Sequence, residues 1–291
     1  PYLSVSTPNF SFNNASAFNG ELFKITTTST ITDMFSRASF FNNNNQSSIN
    51  NWNVSNVTDM TGVFFGAHSF NQPLDQWDMS NVTIMKYMLA GFNGTMIFNQ
   101  PIGSWNTSNV TQLNGILLRN PSFDQDLSNW NVNKLNANNL AGFFNITGGG
   151  TGNELNLSTV NYDALLIAWD AYSFPAWASG TVDFGDSQYT SGGAAAVART
   201  SLIAKWGAIT DGGSIAPPSD RRLKRNINKI GISKEGYNIY TFEFIDTAKY
   251  GSGLYQGVMS DNIPQEFVNI HADGYDRVDY SQLDVEFKKI K

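Results

Sequence analysis

The sequence contains no cysteine, which excludes disulfide bonds and thiolate ligands for a metal ion. Its two histidines, His68 and His271, are too few to hold a zinc ion on their own. No apolar run approaches the roughly 18 residues that a membrane-spanning helix needs. We therefore expect no metal site, no cofactor and no membrane span.

Charge is scarce as well: Asp, Glu, Lys and Arg make up 14% of the residues, against about a quarter in ordinary soluble domains. Residues 1–216 carry 7 basic and 13 acidic side chains, whereas residues 217–291 carry 11 of each. No stretch forms a basic stripe, so nucleic acid is not an expected partner. Asn, Ser, Thr and Gly replace the missing charges, and such a neutral polar surface suits a protein outside cells.

A repeated segment dominates the first half of the chain, and its tryptophans are 25, 28 and 25 residues apart. The copies are Trp52-Asn-Val-Ser-Asn-Val-Thr-Asp-Met60, Trp77-Asp-Met-Ser-Asn-Val-Thr-Ile-Met85, Trp105-Asn-Thr-Ser-Asn-Val-Thr-Gln-Leu113 and Trp130-Asn-Val-Asn-Lys-Leu135. Phe-Asn-Gln or Phe-Asp-Gln follows each of the first three copies, at Phe70, Phe98 and Phe123. The middle one comes three residues late, so an insertion lies between Met85 and Phe98. A degraded earlier copy covers residues 31–42.

This period fits one short strand and one turn or helical segment per unit. A single unit buries little apolar surface, so we expect the recurrent Trp, Val, Met and Phe to stack into one continuous core. The tryptophans are therefore predicted to pack inside, rather than to form an exposed row that stacks on sugars. The Asn of Ser-Asn-Val-Thr is predicted to form an internal ladder that satisfies backbone groups at the turn. The alternative is that Asn-Val-Thr is a glycosylation sequon.

Two helices are predicted beyond the repeats, an amphipathic one over Tyr162–Trp169 and an Ala-rich one over Ala194–Trp206. A strand between them would complete a cap over residues 157–213 that shields the last repeat from water. The alternative is an independent small α+β domain. Gly and Pro then mark a linker at residues 214–218, after which the density of charge rises.

The repeats resemble the BspA-like leucine-rich repeats, whose units read approximately Trp-Asp-Val-Ser-Asn-Val-Thr-Asp-Met, then Met-Phe and Phe-Asn-Gln. The resemblance covers residues 22–145 and continues into the closing segment up to Gly213. It implies a short solenoid of parallel strands, with about five irregular repeats over residues 22–156. The sequence begins at Pro1, without a Met and without a signal-peptide pattern. Residues 1–21 are expected to be an N-terminal segment or cap that continues a longer protein.

Residues 219–291 resemble the intramolecular chaperone domain of endosialidase tailspikes and other phage fibres, which also occurs in myelin regulatory factor. The segments that carry this resemblance are Ser219-Asp-Arg-Arg-Leu-Lys-Arg-Asn-Ile227, Tyr240-Thr-Phe-Glu-Phe244, Gly257-Val-Met259, Pro264 and Asp273-Gly-Tyr-Asp-Arg-Val-Asp-Tyr-Ser-Gln-Leu283. The resemblance implies a small α+β domain that helps three chains assemble and often cuts itself off afterwards. In that family the cut falls before a Ser, and a Lys five residues later is the base. Ser219 and Lys224 occupy those positions.

This pair of residues is chemically reasonable for a self-cleavage reaction. A Ser hydroxyl becomes a nucleophile only when a base removes its proton, and Lys serves as a base only when burial or nearby cations depress its pKa. Arg221, Arg222 and Arg225 are predicted to supply that repulsion.

The chain departs from the family in two ways, because Pro218 precedes Ser219 and no long helical extension precedes the end at Lys291. The alternative reading is a surface Ser219, with Asp220 capping a turn and Lys224 solvated.

Other signals point to structure rather than chemistry. Neither histidine lies in the setting of a hydrolase base, and both are predicted to be loop residues. Asp183-Phe-Gly-Asp186 lacks the pattern of a calcium loop and predicts a turn. Residues 148–152 are Gly-rich, but no Lys or helix follows as in a phosphate-binding loop, so a flexible loop is expected.

The predicted fold class is therefore α+β, and the predicted protein is a homotrimeric tip of a virion tail fibre or spike. It would attach to a host surface protein or glycan, and bind other tail or baseplate proteins through its N-terminal part. The expected location is extracellular, on the virion. No activity on other molecules is expected beyond a single-turnover autoproteolysis. The alternatives are a bacterial surface adhesin with an autoprocessing tail and a depolymerising spike enzyme. The residues that bind the receptor cannot be named from the sequence.

Overall fold

A computed structural model describes residues 12–20, 30–135, 137–140, 156–174, 180–191, 194–250, 252–270 and 274–290. His271, Asp273, Lys291 and the Gly-rich loop at 148–152 lie outside the described residues. The described residues mix helices with short strands and contain two hydrophobic cores, one from Ile31 to Ile209 and one from Leu223 to Phe287. No helix among them is long and apolar enough to cross a membrane.

Consecutive repeat units lie side by side over residues 30–135, which we call the repeat stack. Parallel bridges join Thr30 to Asp59, Asp59 to Ile84, and Ile84 to Gln112. Each unit thus contributes one bridged residue instead of the predicted short strand. Main-chain hydrogen bonds continue through the turn that follows each bridge; the amide of Gly62, for example, donates to the carbonyl of Lys86 at 2.8 Å. The units therefore align residue by residue along the stack.

Aromatic rings fill the interior of the repeat stack. Phe64 and Phe70 of one unit stack with centroids 3.8 Å apart, and the row continues from Phe70 to Phe98 at 5.9 Å and from Phe98 to Phe123 at 6.3 Å. The row also begins earlier than predicted, because Phe12 stacks at 5.6 Å on the next unit's Phe35. The repeat pattern therefore includes part of the segment before residue 22.

The tryptophans form a second buried row. The indole nitrogens of Trp77, Trp105 and Trp130 each donate to a main-chain carbonyl of the preceding unit at 2.9 Å. All three side chains are buried, so the prediction that they pack in the core is confirmed. Each indole both fills the core and fixes the register between two units.

The predicted ladder of Ser-Asn-Val-Thr asparagines exists, but it lies on the surface rather than inside. Asn81 and Asn109 are exposed and donate to carbonyls of the preceding unit at 2.7 Å. A second, half-buried ladder, which was not predicted, is made by the Asn that follows each core Phe. Asn71 Oδ1 accepts from the amide of Asn99 at 2.9 Å and from the side chain of Gln100 at 3.1 Å. Asn19, Asn42 and Asn99 accept in the same way from the unit that follows each.

The region after the repeat stack has both predicted helices. Its elements are α1 (Ala137–Leu140), α2 (Thr159–Asp170), β1 (Gly180–Asp183), β2 (Tyr189–Thr190), α3 (Ala194–Trp206), β3 (Gly207–Thr210) and β4 (Ser214–Ile215). β1 pairs in parallel with β3, and β2 with β4. Helix α2 buries Tyr162, Leu165, Leu166 and Trp169, which have helical spacing and share the core of the repeat stack. This shared core favours a cap over an independent domain.

The cap is attached to the ladder by its last rung. Asp124 replaces Asn in the fourth unit, and its Oδ1 accepts from the amide of Ser158 and the side chain of Asn161, both at 2.8 Å. Ser158 is the N-cap of α2. The predicted linker at 214–218 is wrong in part, because Ser214 and Ile215 form strand β4 against β2.

The C-terminal part contains a small antiparallel sheet. Its elements are β5 (Lys224–Ile232), β6 (Asn238–Phe244), α4 (Thr247–Tyr250), β7 (Tyr255–Gly257), β8 (Val268–Ile270), β9 (Asp276–Val278) and β10 (Lys288–Lys289). The sheet order is β10-β7-β6-β5, and β8 pairs with β9 in a separate hairpin. The predicted strand at 240–244 lies within β6, and β9 follows the turn at Gly274, as predicted. Phe242, Phe244 and Met259 are central to this core.

Truncating a rung should destabilise the repeat stack more than truncating an exposed asparagine. Asn71→Ala removes the acceptor of two donors, and we expect a loss of about 1–3 kcal/mol in the free energy of unfolding. Asn81→Ala, the control, should change it by no more than about 0.5 kcal/mol. Urea unfolding monitored by tryptophan fluorescence measures both, and equal losses in the two variants would show that the half-buried ladder has no special role.

Candidate functional site

Ser219 and Lys224 lie on either side of a short turn in the C-terminal part. Residues 221–223 form a single 3-10 turn whose first amides are capped by Asp220, which accepts from the amide of Arg222 at 2.8 Å. Strand β5 begins directly afterwards, at Lys224. Ser219 is 0% exposed and Lys224 is 5% exposed. Asp220 therefore caps a turn, as the alternative reading predicted. That reading is wrong for the other two residues, because Ser219 does not lie at the surface and Lys224 is not solvated.

Ser219 is held by its backbone on both sides. Its amide donates to the carbonyl of Asp276 at 3.0 Å, and its carbonyl accepts from the amide of Ser260 at 2.9 Å. Its hydroxyl donates to the carbonyl of Pro217 at 3.1 Å and also interacts with the hydroxyl of Tyr280. Because the backbone is fixed, the hydroxyl has a defined position beside the peptide bond that precedes it.

Lys224 lies in a largely apolar environment. Its amine donates to the carbonyl of Val258 at 3.1 Å, lies 3.6 Å from the sulfur of Met259, and is 4.0 Å from the centre of the Phe242 ring. None of its hydrogen-bond partners among the described residues is a carboxylate. A buried amine without a paired anion is strongly disfavoured in its charged form.

Burial is accordingly the main cause that lowers the pKa of Lys224 well below its ordinary value of 10.5. The charge of Arg221 lowers it further, as the sequence predicted. Arg222 and Arg225 instead pair with Asp220 and Glu243. The amine therefore gives up its proton more readily than an exposed lysine does, which is what a base of this kind requires.

Both residues bind one short segment, Val258–Ser260. Lys224 binds the carbonyl of Val258, and the hydroxyl of Tyr280 accepts from the amide of Val258 at 2.7 Å. Ser219 binds the same segment through the amide of Ser260. The amine of Lys224 and the hydroxyl of Ser219 do not hydrogen-bond directly to each other in this part of the structure. The structure therefore brings them into one buried cluster, together with Tyr280.

Tyr280 and Arg277 are the members of this cluster to which the sequence analysis gave no role. Burial raises the pKa of Tyr280 to about 12, so the phenol keeps its proton at neutral pH while its oxygen accepts from the amide of Val258. Arg277 is buried and also lowers the pKa of Lys224. Both lie more than 50 positions after Ser219, and only their place in the motifs of the resemblance could have drawn attention to them.

The other candidates lack reactive geometry. Asp183 accepts from the amide of Gly185 at 2.9 Å, which makes the predicted turn rather than a calcium loop. The ring of His68 packs against Gly94 of the next unit. In the described part of the chain, no group of three or more His, Cys, Asp or Glu side chains is placed to hold a metal ion.

The described chain is thus a stack of aromatic-cored repeats with a cap, followed by a small sheet with a buried serine and lysine. Residues 3–91 and 40–148 match the family described as Mycoplasma protein of unknown function, DUF285. Together the matches cover half of the chain, which therefore belongs to this family. No curated protein and no solved structure shows significant similarity to it. The resemblance of residues 219–291 to an intramolecular chaperone domain stays a prediction.

Replacing Lys224 by a methionine should stabilise the protein. The depressed pKa means that the unfolded chain binds a proton on Lys224 more readily than the folded chain, so this residue opposes folding at neutral pH. We expect Lys224→Met to raise the free energy of unfolding at pH 7 by on the order of 1–2 kcal/mol.

The gain should shrink as the pH rises through 10.5, because Lys224 in the unfolded chain then loses its proton as well and becomes neutral in both states. Lys229→Met, at an exposed position of the same strand, is the control and should change little at either pH. Thermal unfolding of both variants between pH 7 and pH 10.5 measures the difference. A destabilised Lys224→Met at pH 7 would contradict the assignment of a buried amine that has no paired anion.

Proposed function

We propose that the chain is the tip of a virion tail fibre or spike that attaches to a host cell surface. In this proposal the repeat stack is a leucine-rich-repeat solenoid of the BspA-like type, which makes the contact with the host. Residues 219–291 are an intramolecular chaperone that promotes assembly of a homotrimer and then cleaves itself from the tip. The observation that carries the proposal is the buried Lys224, which has no paired carboxylate, in one cluster with the buried Ser219.

Such a lysine is difficult to explain by folding alone. It opposes stability, and an apolar residue of similar size would fill the same space beside Phe242 and Met259. Strongly perturbed groups of this kind concentrate at reactive sites. A single-turnover reaction in the chain itself would use the buried amine as a base and requires no pocket for a substrate.

The proposed reaction begins when the hydroxyl of Ser219 attacks the carbonyl carbon of Pro218. Lys224 acts as the base that takes up the hydroxyl proton, and its ammonium form then gives a proton to the Ser219 nitrogen as the bond between that carbon and the nitrogen breaks. The product is an ester between Pro218 and the Ser219 oxygen. Water then hydrolyses the ester, which leaves a carboxylate on Pro218 and restores the serine hydroxyl.

Exposed isoleucines support the proposed trimer. Five large apolar side chains are exposed in the C-terminal part, namely Ile230, Ile232, Ile245, Ile270 and Ile290. Ile230 and Ile232 lie on β5, the edge strand of the sheet. An exposed edge strand can pair with another chain, and exposed apolar side chains mark interaction surfaces. Further copies of the same chain would cover them in a closed trimer.

Intact mass of the purified protein tests the cleavage. We expect the wild-type chain to split between Pro218 and Ser219, and Ser219→Ala and Lys224→Met to stay whole. Ser252→Ala, at an exposed position of the same part of the chain, is the control and should split as the wild type does. A wild-type chain that stays whole after prolonged incubation would rule out self-cleavage. The chaperone role would then depend on the assembly test alone.

Native mass of the uncleaved Ser219→Ala protein tests the assembly. We expect a trimer, and we expect the added pair Ile230→Ser and Ile232→Ser to give mostly monomer because it weakens the interface. Val197→Ser is the control, since Val197 is 70% exposed on α3 of the cap. A monomeric Ser219→Ala protein would overturn the trimer, and a trimer in the isoleucine variant would place the interface elsewhere.

A cell-surface adhesin with an autoprocessing tail is the second candidate. The description of the family names Mycoplasma, which is a cellular organism rather than a virus. Antibody labelling of intact cells and of purified virus particles separates the two. Label on particles supports the fibre, whereas label confined to cells supports the adhesin.

A further inference from the structure

One position in the repeat stack departs from its equivalents in adjacent units. Asp33, Gly62, Tyr87 and Gly115 each follow a bridged residue by three positions, and all four have positive φ, of 52°, 63°, 53° and 61°. Glycine adopts this conformation readily, whereas a tyrosine is strained there. Such strain concentrates at functional sites, where a side chain must be held in a set position.

The ring of Tyr87 packs against the backbone of Gly115 in the next unit. A Cβ added at Gly115 would lie 2.4 Å from Cε1 of Tyr87, so the contact requires a glycine there. On its other side, the ring lies 6.0 Å from that of Phe65. Tyr87 is nevertheless 41% exposed. The arrangement therefore holds an aromatic ring firmly while leaving much of it open to solvent.

The insertion in the third unit extends this surface. Phe92 lies within the insertion, and its ring is 5.2 Å from that of Phe65 in the preceding unit. The guanidinium of Arg37, two units away, lies 4.1 Å from the centre of the Phe92 ring. We call Arg37, Phe65, Tyr87 and Phe92 the aromatic platform. It spans three units, and the three-residue insertion is what supplies Phe92.

We infer that the aromatic platform is a carbohydrate-binding site that takes a hexopyranose unit of a surface glycan. The C–H groups of a pyranose ring carry slight positive charge, and they pack on the negatively charged face of an aromatic ring. The planar donors of Arg37 and the exposed amide of Asn93, next to Phe92, are suited to hydroxyl groups at the edge of that ring. This inference rests on the proposed function in surface attachment.

The size and chemistry of the platform favour a sugar over a protein partner. Three rings and one arginine offer far less than the roughly 800 Å² per partner of a stable protein interface. Rings beside a few directed polar groups are instead typical of small-ligand sites. The buried tryptophan row cannot stack on sugars, whereas the rings of the platform adjoin one another and are at least partly exposed.

Binding of the full chain to a printed array of bacterial surface oligosaccharides, followed by calorimetry with the strongest array ligand, tests the inference. We expect Tyr87→Gly to weaken binding by about tenfold or more. Because glycine occupies the equivalent positions 62 and 115, this variant should keep or raise the melting temperature. A Tyr87 that serves packing alone would lower the melting temperature and leave sugar affinity unchanged.

Phe40→Ser is the matched control. Phe40 is 65% exposed in the first unit but lies outside the platform, and Ser69 and Ser122 occupy its place in other units. We expect this variant to bind within about twofold of wild type. Equal losses in both variants would indicate general apolar adhesion and would overturn the assigned site.

Binding to cells separates this inference from the proposed function. If the chain binds cells and periodate treatment of the cells removes binding, the glycan is supported. If protease removes binding and periodate does not, the partner is a protein, and the inference fails while attachment stands. Unchanged sugar affinity in Tyr87→Gly places the site elsewhere. A wild-type chain that binds neither array nor cells overturns both proposals.

Discussion

A hydrogen bond from the backbone of each unit to a side-chain oxygen of the unit before it sets the geometry of the repeat stack. The Asn after each core Phe accepts from the backbone of the following unit, and the Trp indole donates back to the unit before. One repeat cannot bury its own aromatic residues, so it needs neighbours in a fixed register. The asparagine and indole hydrogen bonds fix that register. Apolar contacts between the stacked rings alone would not fix it.

The C-terminal part follows the opposite physical logic. Its buried lysine reduces stability, whereas the repeated side chains that are buried in the stack increase it. The surrounding backbone compensates by fixing Ser219 on both sides and by satisfying Val258 through Lys224 and Tyr280. Reactive sites are commonly built in this way, with one destabilising titratable residue held in an otherwise stable domain.

Periodicity predicted the stacked core well, since the phase of Trp and Phe alone indicates what is buried. It could not decide between two asparagines with the same period, because only the fold shows that the one beside Phe faces the next unit's amide. The burial of Lys224 could not be predicted from the sequence either. The sequence around it is rich in arginine, and its apolar contacts come from Phe242 and Met259, which are distant in the chain. The role of Tyr280 was hidden for the same reason.

The last rung of the ladder suggests how such a protein can change in length. Asp124 presents to the cap the same kind of oxygen that an asparagine presents to another repeat. Internal units are therefore interchangeable at their joints, and a gene duplication of one whole period would insert a module without redesign of either end. Evolution can thus lengthen or shorten the array in single steps, and each added module offers a fresh surface for variation.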